Sequence, residues 1–178
     1  MILTQRLLLR RFLESDRDPF ADMNADRRVM EFFLSPLARA QSDEMIDRIE
    51  SYFDRDGYGL WALEVRTSGE FIGFTGLAHT TFVAHFTPAV EIGWRLAHGA
   101  WGQGYASEAA RAVLDFAFDE LALREVVAFT STLNLCSRSL MERLSMTHDA
   151  SDDFAHPNLP SEHRLSPHVL YRLAAPSA

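Results

Sequence analysis

Cysteine is almost missing from this chain. Its 178 residues include one, Cys136, which excludes an internal disulfide framework and a cysteine-built zinc cluster and fits a reducing cytoplasm. Long apolar runs are missing too. Arg6, Arg10 and Arg11 interrupt the opening "MILTQRLLLRRF" before it reaches signal-peptide length, and no stretch is long enough to cross a bilayer. Positive charge is in deficit: the formal charge is −8 and the pI about 5.3. That argues against nucleic acid or an anionic membrane as partner and mildly favours a cationic one such as an amine. With no internal repeat and no low-complexity linker, residues 1–178 read as one domain. What is present is an ordinary globular composition, 47% hydrophobic and 24% charged, sufficient for a sizeable core.

Along the chain the hydrophobic period changes several times. "LTQRLLLRRF" (Leu3 to Phe12) reads as a first strand. A helix follows around Pro19, with Phe20 and Met23 on one face. Ser42, with Asp43 and Glu44 behind it, is a plausible N-cap for a second helix whose stripe is Met45, Ile46, Ile49, Tyr52 and Phe53. "LWALEVR", a turn at Thr67 to Glu70, and "FIGFTGLAHT" predict an antiparallel hairpin, and "AVEIGWRLA" a further strand. The next helix buries Ala106, Ala110, Val113, Leu114, Ala117 and Leu121, leaving Glu108, Arg111, Asp115 and Asp119 for solvent. "REVVAFTSTL" is a buried strand, "NLCSRSLMERL" a short helix and "HVLYRL" a closing strand. The order implies a mixed α/β or α+β sheet with helices on its faces.

The segment "AHGAWGQGYASEAARAV" (Ala97 to Val113) places Gly102 and Gly104 just before a helix. A dinucleotide fingerprint needs the glycines immediately after a strand and an acidic residue at the end of the next one. Here a loop intervenes, Ser107 replaces the third glycine, and Glu125 begins the next strand instead of ending it. A simpler phosphate cradle at a helix N-terminus requires less: free N–H groups, the positive end of the helix dipole, and small neighbours such as Ala106 and Ser107.

"WGQGYASEA" (Trp101 to Ala109) resembles the acyl-CoA pyrophosphate loop of the GNAT acetyltransferase superfamily, roughly Arg/Gln-x-x-Gly-x-Gly/Ala, with Gly104 and Ala106 at its last two positions and Trp101 where Arg or Gln is usual. That departure, "TQRLLLRRF", and "NLCSRSLMERLSM" beside N-x-x-S-x-x-x-x-E-K-L-G-F resemble the branch of the ribosomal-protein N-terminal (alanine/serine) acetyltransferases. The resemblance implies a GNAT-like, mostly antiparallel sheet with a splayed parallel strand pair and about four helices. It implies acetyl-CoA as co-substrate, no metal, and an amine acceptor, either a peptide N-terminus or a small molecule, with the enzyme a monomer or homodimer.

The site residues follow from the same resemblance. Backbone groups near Trp94, Arg95 and Leu96 are expected on the pantetheine arm, and Gly102, Gln103, Gly104, Tyr105, Ala106 and Ser107 on the pyrophosphate. Glu91 is the candidate general base; strand alternation alone would instead point it to solvent. Ser137 is the candidate acid for the departing thiolate and Asn134 a pantetheine contact, although both residue types also favour helix caps. Met141 stands where many relatives carry a tyrosine acid. The seven histidines show no two-ligand spacing with a third partner. Cys136 and the Phe32-Phe33 pair are more simply read as packing. An acyl-CoA-binding module without catalysis is the alternative function, and a dinucleotide enzyme a more distant one.

Overall fold

The computed structural model describes residues 1–176. The elements run β1 (Ile2–Leu3), β2 (Leu7–Arg10), α1 (Arg17–Ala25), α2 (Arg39–Asp56), β3 (Leu60–Val65), β4 (Phe71–His79), β5 (Val90–Leu96), α3 (Tyr105–Asp119), β6 (Glu125–Ser131), α4 (Leu135–Arg143), β7 (Thr147–His148), β8 (Phe154–Ala155) and β9 (Pro167–Ala174). All nine strands share one sheet in the order β1-β2-β3-β4-β5-β6-β9-β7, with β8 paired to β9. Every pairing is antiparallel except β5 with β6. The expected mixed, mostly antiparallel sheet with four helices and one parallel pair is what forms.

That parallel pair barely holds. β5 and β6 are seven residues each, yet Glu91 and Val127 are their sole paired position. Each strand pairs over its whole length with its other neighbour, β4 or β9. The two strands therefore diverge beyond Glu91 and leave backbone groups unpaired in the gap.

Helices cover both faces. α1 lies on the face that carries Phe74: Phe20, fully buried, packs its ring against Phe12, Phe71 and Phe74. α3 meets the other face, where Phe116 packs edge-on against Trp61, and its stripe Ala109, Ala110, Val113, Leu114 and Ala117 is buried as the 3.6-residue period predicts. A second cluster, Phe86, Val127 and Leu170 with Phe82, Phe129 and Phe154 around it, covers the sheet beyond β5.

Three local expectations are corrected. The first strand is two, because Thr4 folds back on Leu7 (the Leu7 N–H donates to Thr4 Oγ1 at 2.9 Å) and makes a turn through Gln5 and Arg6. α2 starts at Arg39, so Ser42 is not its cap; Gln41 Oε1 accepts from the Ala38 N–H at 2.8 Å and Ser42 is fully buried against Asn24. Glu108 does not face open water, because Thr4 and Arg6 cover its carboxylate. Among the described residues no helix is long and apolar enough to cross a membrane.

Candidate active site

The glycine loop is assembled from distant parts of the chain. Gly102 and Gly104 take φ of +74° and +79°, the left-handed region glycine enters without penalty. A Cβ on Gly102 would meet nothing within 4 Å, so conformation and not space requires the glycine there. Gly104 caps α3. From Gly102 to Ser107 no backbone N–H has a protein acceptor among the described residues. That is a run of orphan donors at the positive end of a fifteen-residue helix.

Arg6 holds this loop from behind. Its Nη1 donates to the Gln103 carbonyl at 2.8 Å, its Nε to Glu108 Oε2 at 2.6 Å, and its guanidinium lies 4.6 Å from the Tyr105 ring centre. A trans peptide points its C=O and N–H in opposite directions. Anchoring the Gln103 carbonyl on Arg6 therefore turns the Gly104 N–H to the open side of the loop. Glu108 completes the clamp by accepting also from Thr4 Oγ1 at 2.6 Å and the Arg6 N–H at 2.7 Å. Trp101 Nε1 donates to the Leu96 carbonyl and Gln103 Nε2 to the Gly99 carbonyl, each at 2.9 Å, tying the loop to the end of β5.

Glu91 stands where β5 and β6 part. As the paired residue of a parallel bridge it shares a face with Val127. Part of its surface still meets solvent, but the protein around it strips most of its hydration. Burial, with no neighbouring charge or donor contributing, pushes its carboxyl from 4.5 up to about 7. A carboxyl near 7 at a cleft wall can exchange protons at neutral pH. The backbone of β5 divides its work by alternation. The Ala97 N–H donates to the Ile72 carbonyl at 2.9 Å, which turns the backbone of Arg95 to β4 and those of Trp94 and Leu96 to the gap beside β6. The Arg95 side chain lies on the Glu91 face, where Nη1 donates to Asn24 Oδ1 at 2.6 Å.

Residues 6–147 match the acetyltransferase (GNAT) domain family. The chain belongs to the GNAT acetyltransferases. YkkB, an uncharacterised protein of Bacillus subtilis, is 30% identical over 146 residues, 82% of this chain and 84% of YkkB. The FsC-acetyl coenzyme A-N(2)-transacetylase of Aspergillus fumigatus is 38% identical over 96 residues, 52% of this chain and 40% of that protein, so the match spans less than half of its length. The acetyltransferase of Agrobacterium tumefaciens superposes with a TM-score of 0.78 at 28% identity, covering 97% of this chain and 92% of that one. Membership carries the activity class: an N-acetyltransferase that draws on acetyl-CoA.

The remaining residues fall into place on this GNAT frame. Asn134 caps α4: its Oδ1 accepts from the Ser137 N–H at 3.1 Å and its Nδ2 donates to Thr130 Oγ1 at 3.1 Å. Ser137 is half-buried in the first turn, and Met141 is buried in the core. Cys136 is exposed, because the first turn of a helix that packs through Leu140 and Met141 presents it outward. Phe33 is exposed as well, and serves as a lid 4.1 Å above the Arg95 guanidinium rather than as core. Glu125 is engaged by Arg172 at 2.8 Å, and a sheet with one parallel pair has no dinucleotide half. Among the described residues no group of His, Cys, Asp or Glu is arranged to hold a metal ion. Sequence reasoning missed Arg6, Glu108 and Asn24 as parts of the site. The spacing Thr4-x-Arg6 carried a signal, but its partner lies about a hundred residues away.

Proposed function

We propose that this chain passes an acetyl group from acetyl-CoA directly to a primary amine within a ternary complex, with Glu91 as general base. The observation that carries the proposal is Glu91 itself, a carboxyl raised to about 7 by burial at the point where β5 and β6 separate. The run of free N–H groups from Gly102 to Ser107 suits the pyrophosphate, and the backbone of Trp94 and Leu96 the pantetheine arm. Acetyl-CoA supplies the thioester, whose C–S bond breaks as the C–N bond to the amine forms. Glu91, directly or through a water, takes the first ammonium proton. The second, lost from nitrogen as the tetrahedral adduct collapses, reaches the thiolate through Ser137, which is left neutral. Asn134 orients the start of α4 and keeps one Nδ2 N–H for the pantetheine. The acceptor is a peptide N-terminal amine or a small-molecule amine.

A thiol-release screen of acetyl-CoA against N-terminal peptides and small amines tests this. All 17 basic residues are arginine, so lysine self-acetylation contributes no background. Amine-dependent thiol release matched by acetylated product is the expected result. Acetyl-CoA binding without release across the panel would instead identify a non-catalytic acyl-CoA-binding module.

A further inference from the structure

The face of β5 that carries Glu91 also carries Arg95, and among the described residues Arg95 has no counter-ion. Elsewhere the chain neutralises an enclosed guanidinium fully: Arg10 donates to Asp16 at 2.6 and 3.0 Å and to Glu64 at 2.7 Å. Arg95 has five N–H donors and makes one hydrogen bond, to the neutral Asn24. Asn24 is itself fixed, fully buried, with its Nδ2 donating to Ser42 Oγ at 3.1 Å. The Arg95 Nε is buried without any partner, and Nη2 has none among the described residues. Two rings flank the guanidinium, Phe33 at 4.1 Å and Phe74 at 5.4 Å. Burial draws Arg95 down to about 10, with no acid contributing, so at neutral pH it stays a cation. A desolvated cation is costly unless an anion joins it.

The floor between the two charges is clear. Gly93 lies midway on the same face, and a Cβ there would meet nothing within 4 Å. Four strand residues separate the Cα atoms of Glu91 and Arg95 by roughly 13 Å. An acceptor laid along this strip would put its amine at Glu91 and its far end at Arg95. We propose that Arg95 binds a carboxylate on the acceptor, so that the preferred substrates are amines bearing a carboxylate several bonds from the reacting nitrogen. The inference rests on the acetyl-transfer proposal for the position of the amine. A half-buried guanidinium fixed by Asn24 and two rings, with Nη2 and one Nη1 N–H uncommitted among the described residues, suits a carboxylate that arrives end-on and takes two donors.

The test compares matched acceptor pairs: ω-amino acids of increasing length against their primary amides, and short N-terminal peptides containing glutamate against the same peptides with glutamine. Wild type should favour the acid over its amide by roughly ten-fold or more in kcat/KM, expressed in KM. The pair that shows the larger ratio tells a free amino acid from an acidic peptide. Arg95→Met should bring the ratio to about one without moving KM for acetyl-CoA, and Arg95→Lys should retain part of it. An Arg95 that only stitches α1 to β5 would slow both members of each pair alike. Equal rates for acid and amide in wild type, with acetyl transfer intact, overturn the inference and need no variant to fold. If no amine is acetylated, calorimetric titration of the CoA-bound protein with the same pairs decides. Acid-selective binding upholds Arg95 while the role of Glu91 fails, and equal binding removes Arg95.

Discussion

Glu91→Gln should slow acetyl transfer and, at alkaline pH, make the protein harder to unfold. The folded state holds the Glu91 proton up to about 7, against an ordinary 4.5. Between these values the folded state binds more protons than the unfolded chain, so the stability carried by this group falls as pH rises through that window. Above about 7 the ionised carboxylate costs the folded state about 3 kcal/mol, at about 1.36 kcal/mol per pH unit. Residual solvent contact makes about 2 kcal/mol the lower expectation. Glutamine never ionises. Urea unfolding should therefore show no gain for the variant below about pH 5 and a gain of about 2–3 kcal/mol above about pH 8. The rate moves the other way. In wild type kcat/KM should climb through pH of about 7 as Glu91 ionises. In the variant that limb disappears, with a loss on the order of 10²- to 10⁴-fold on the plateau. The deficit closes again where the acceptor sheds its own proton, at a pH of about 8 for a peptide N-terminus and about 10 for an alkyl amine. A variant that keeps the wild-type limb, or whose stability gain is independent of pH, refutes the argument that a buried carboxyl at this position is the base.

Three further outcomes follow from the same geometry. Glu108→Gln weakens the clamp on Arg6 and should raise KM for acetyl-CoA roughly five-fold, about 1 kcal/mol, with little change in kcat; initial-rate kinetics check this. Gly104→Ala forces a Cβ into φ of +79°, with Arg6 Nη2 3.4 Å away. The left-handed cost of about 1–2 kcal/mol should appear as weaker acetyl-CoA binding by calorimetry, and unchanged affinity would dissociate the loop from the cofactor. His168 is pushed down to about 4, mainly by burial. Its contribution to stability is therefore present above the ordinary 6.5 and is lost as pH falls through about 4. His168→Gln should flatten the acid limb of a urea-midpoint profile.

Periodicity and breakers made most of the fold legible. The stripe of α3 from Ala109 to Ala117, the β3–β4 hairpin and the order of helices and strands all sit close to where pattern placed them. Short pairings such as β7 and β8 against β9 were not legible, since two residues carry no period. Solvent assignments failed where a partner comes from far along the chain. Glu108 sits at a wet position of its helix, yet its side chain is 17% exposed because Thr4 and Arg6 cover it. The family resemblance points to Arg95 only for its backbone. That its side chain faces Asn24 and Phe33 depends on how α1 and the loop after it dock, and no local pattern encodes this. Residue type alone would pack Cys136 inward, but helix phase leaves it exposed.

The most direct test mixes the protein with acetyl-CoA, first alone and then with an acceptor amine. Intact mass and thiol release are followed together. Direct transfer predicts no acetyl adduct on the protein in the first step and one CoA released per acetylated amine in the second. A covalent acetyl adduct, at the exposed Cys136 or elsewhere, that chases onto the amine would contradict the account, as would bound acetyl-CoA that no amine discharges.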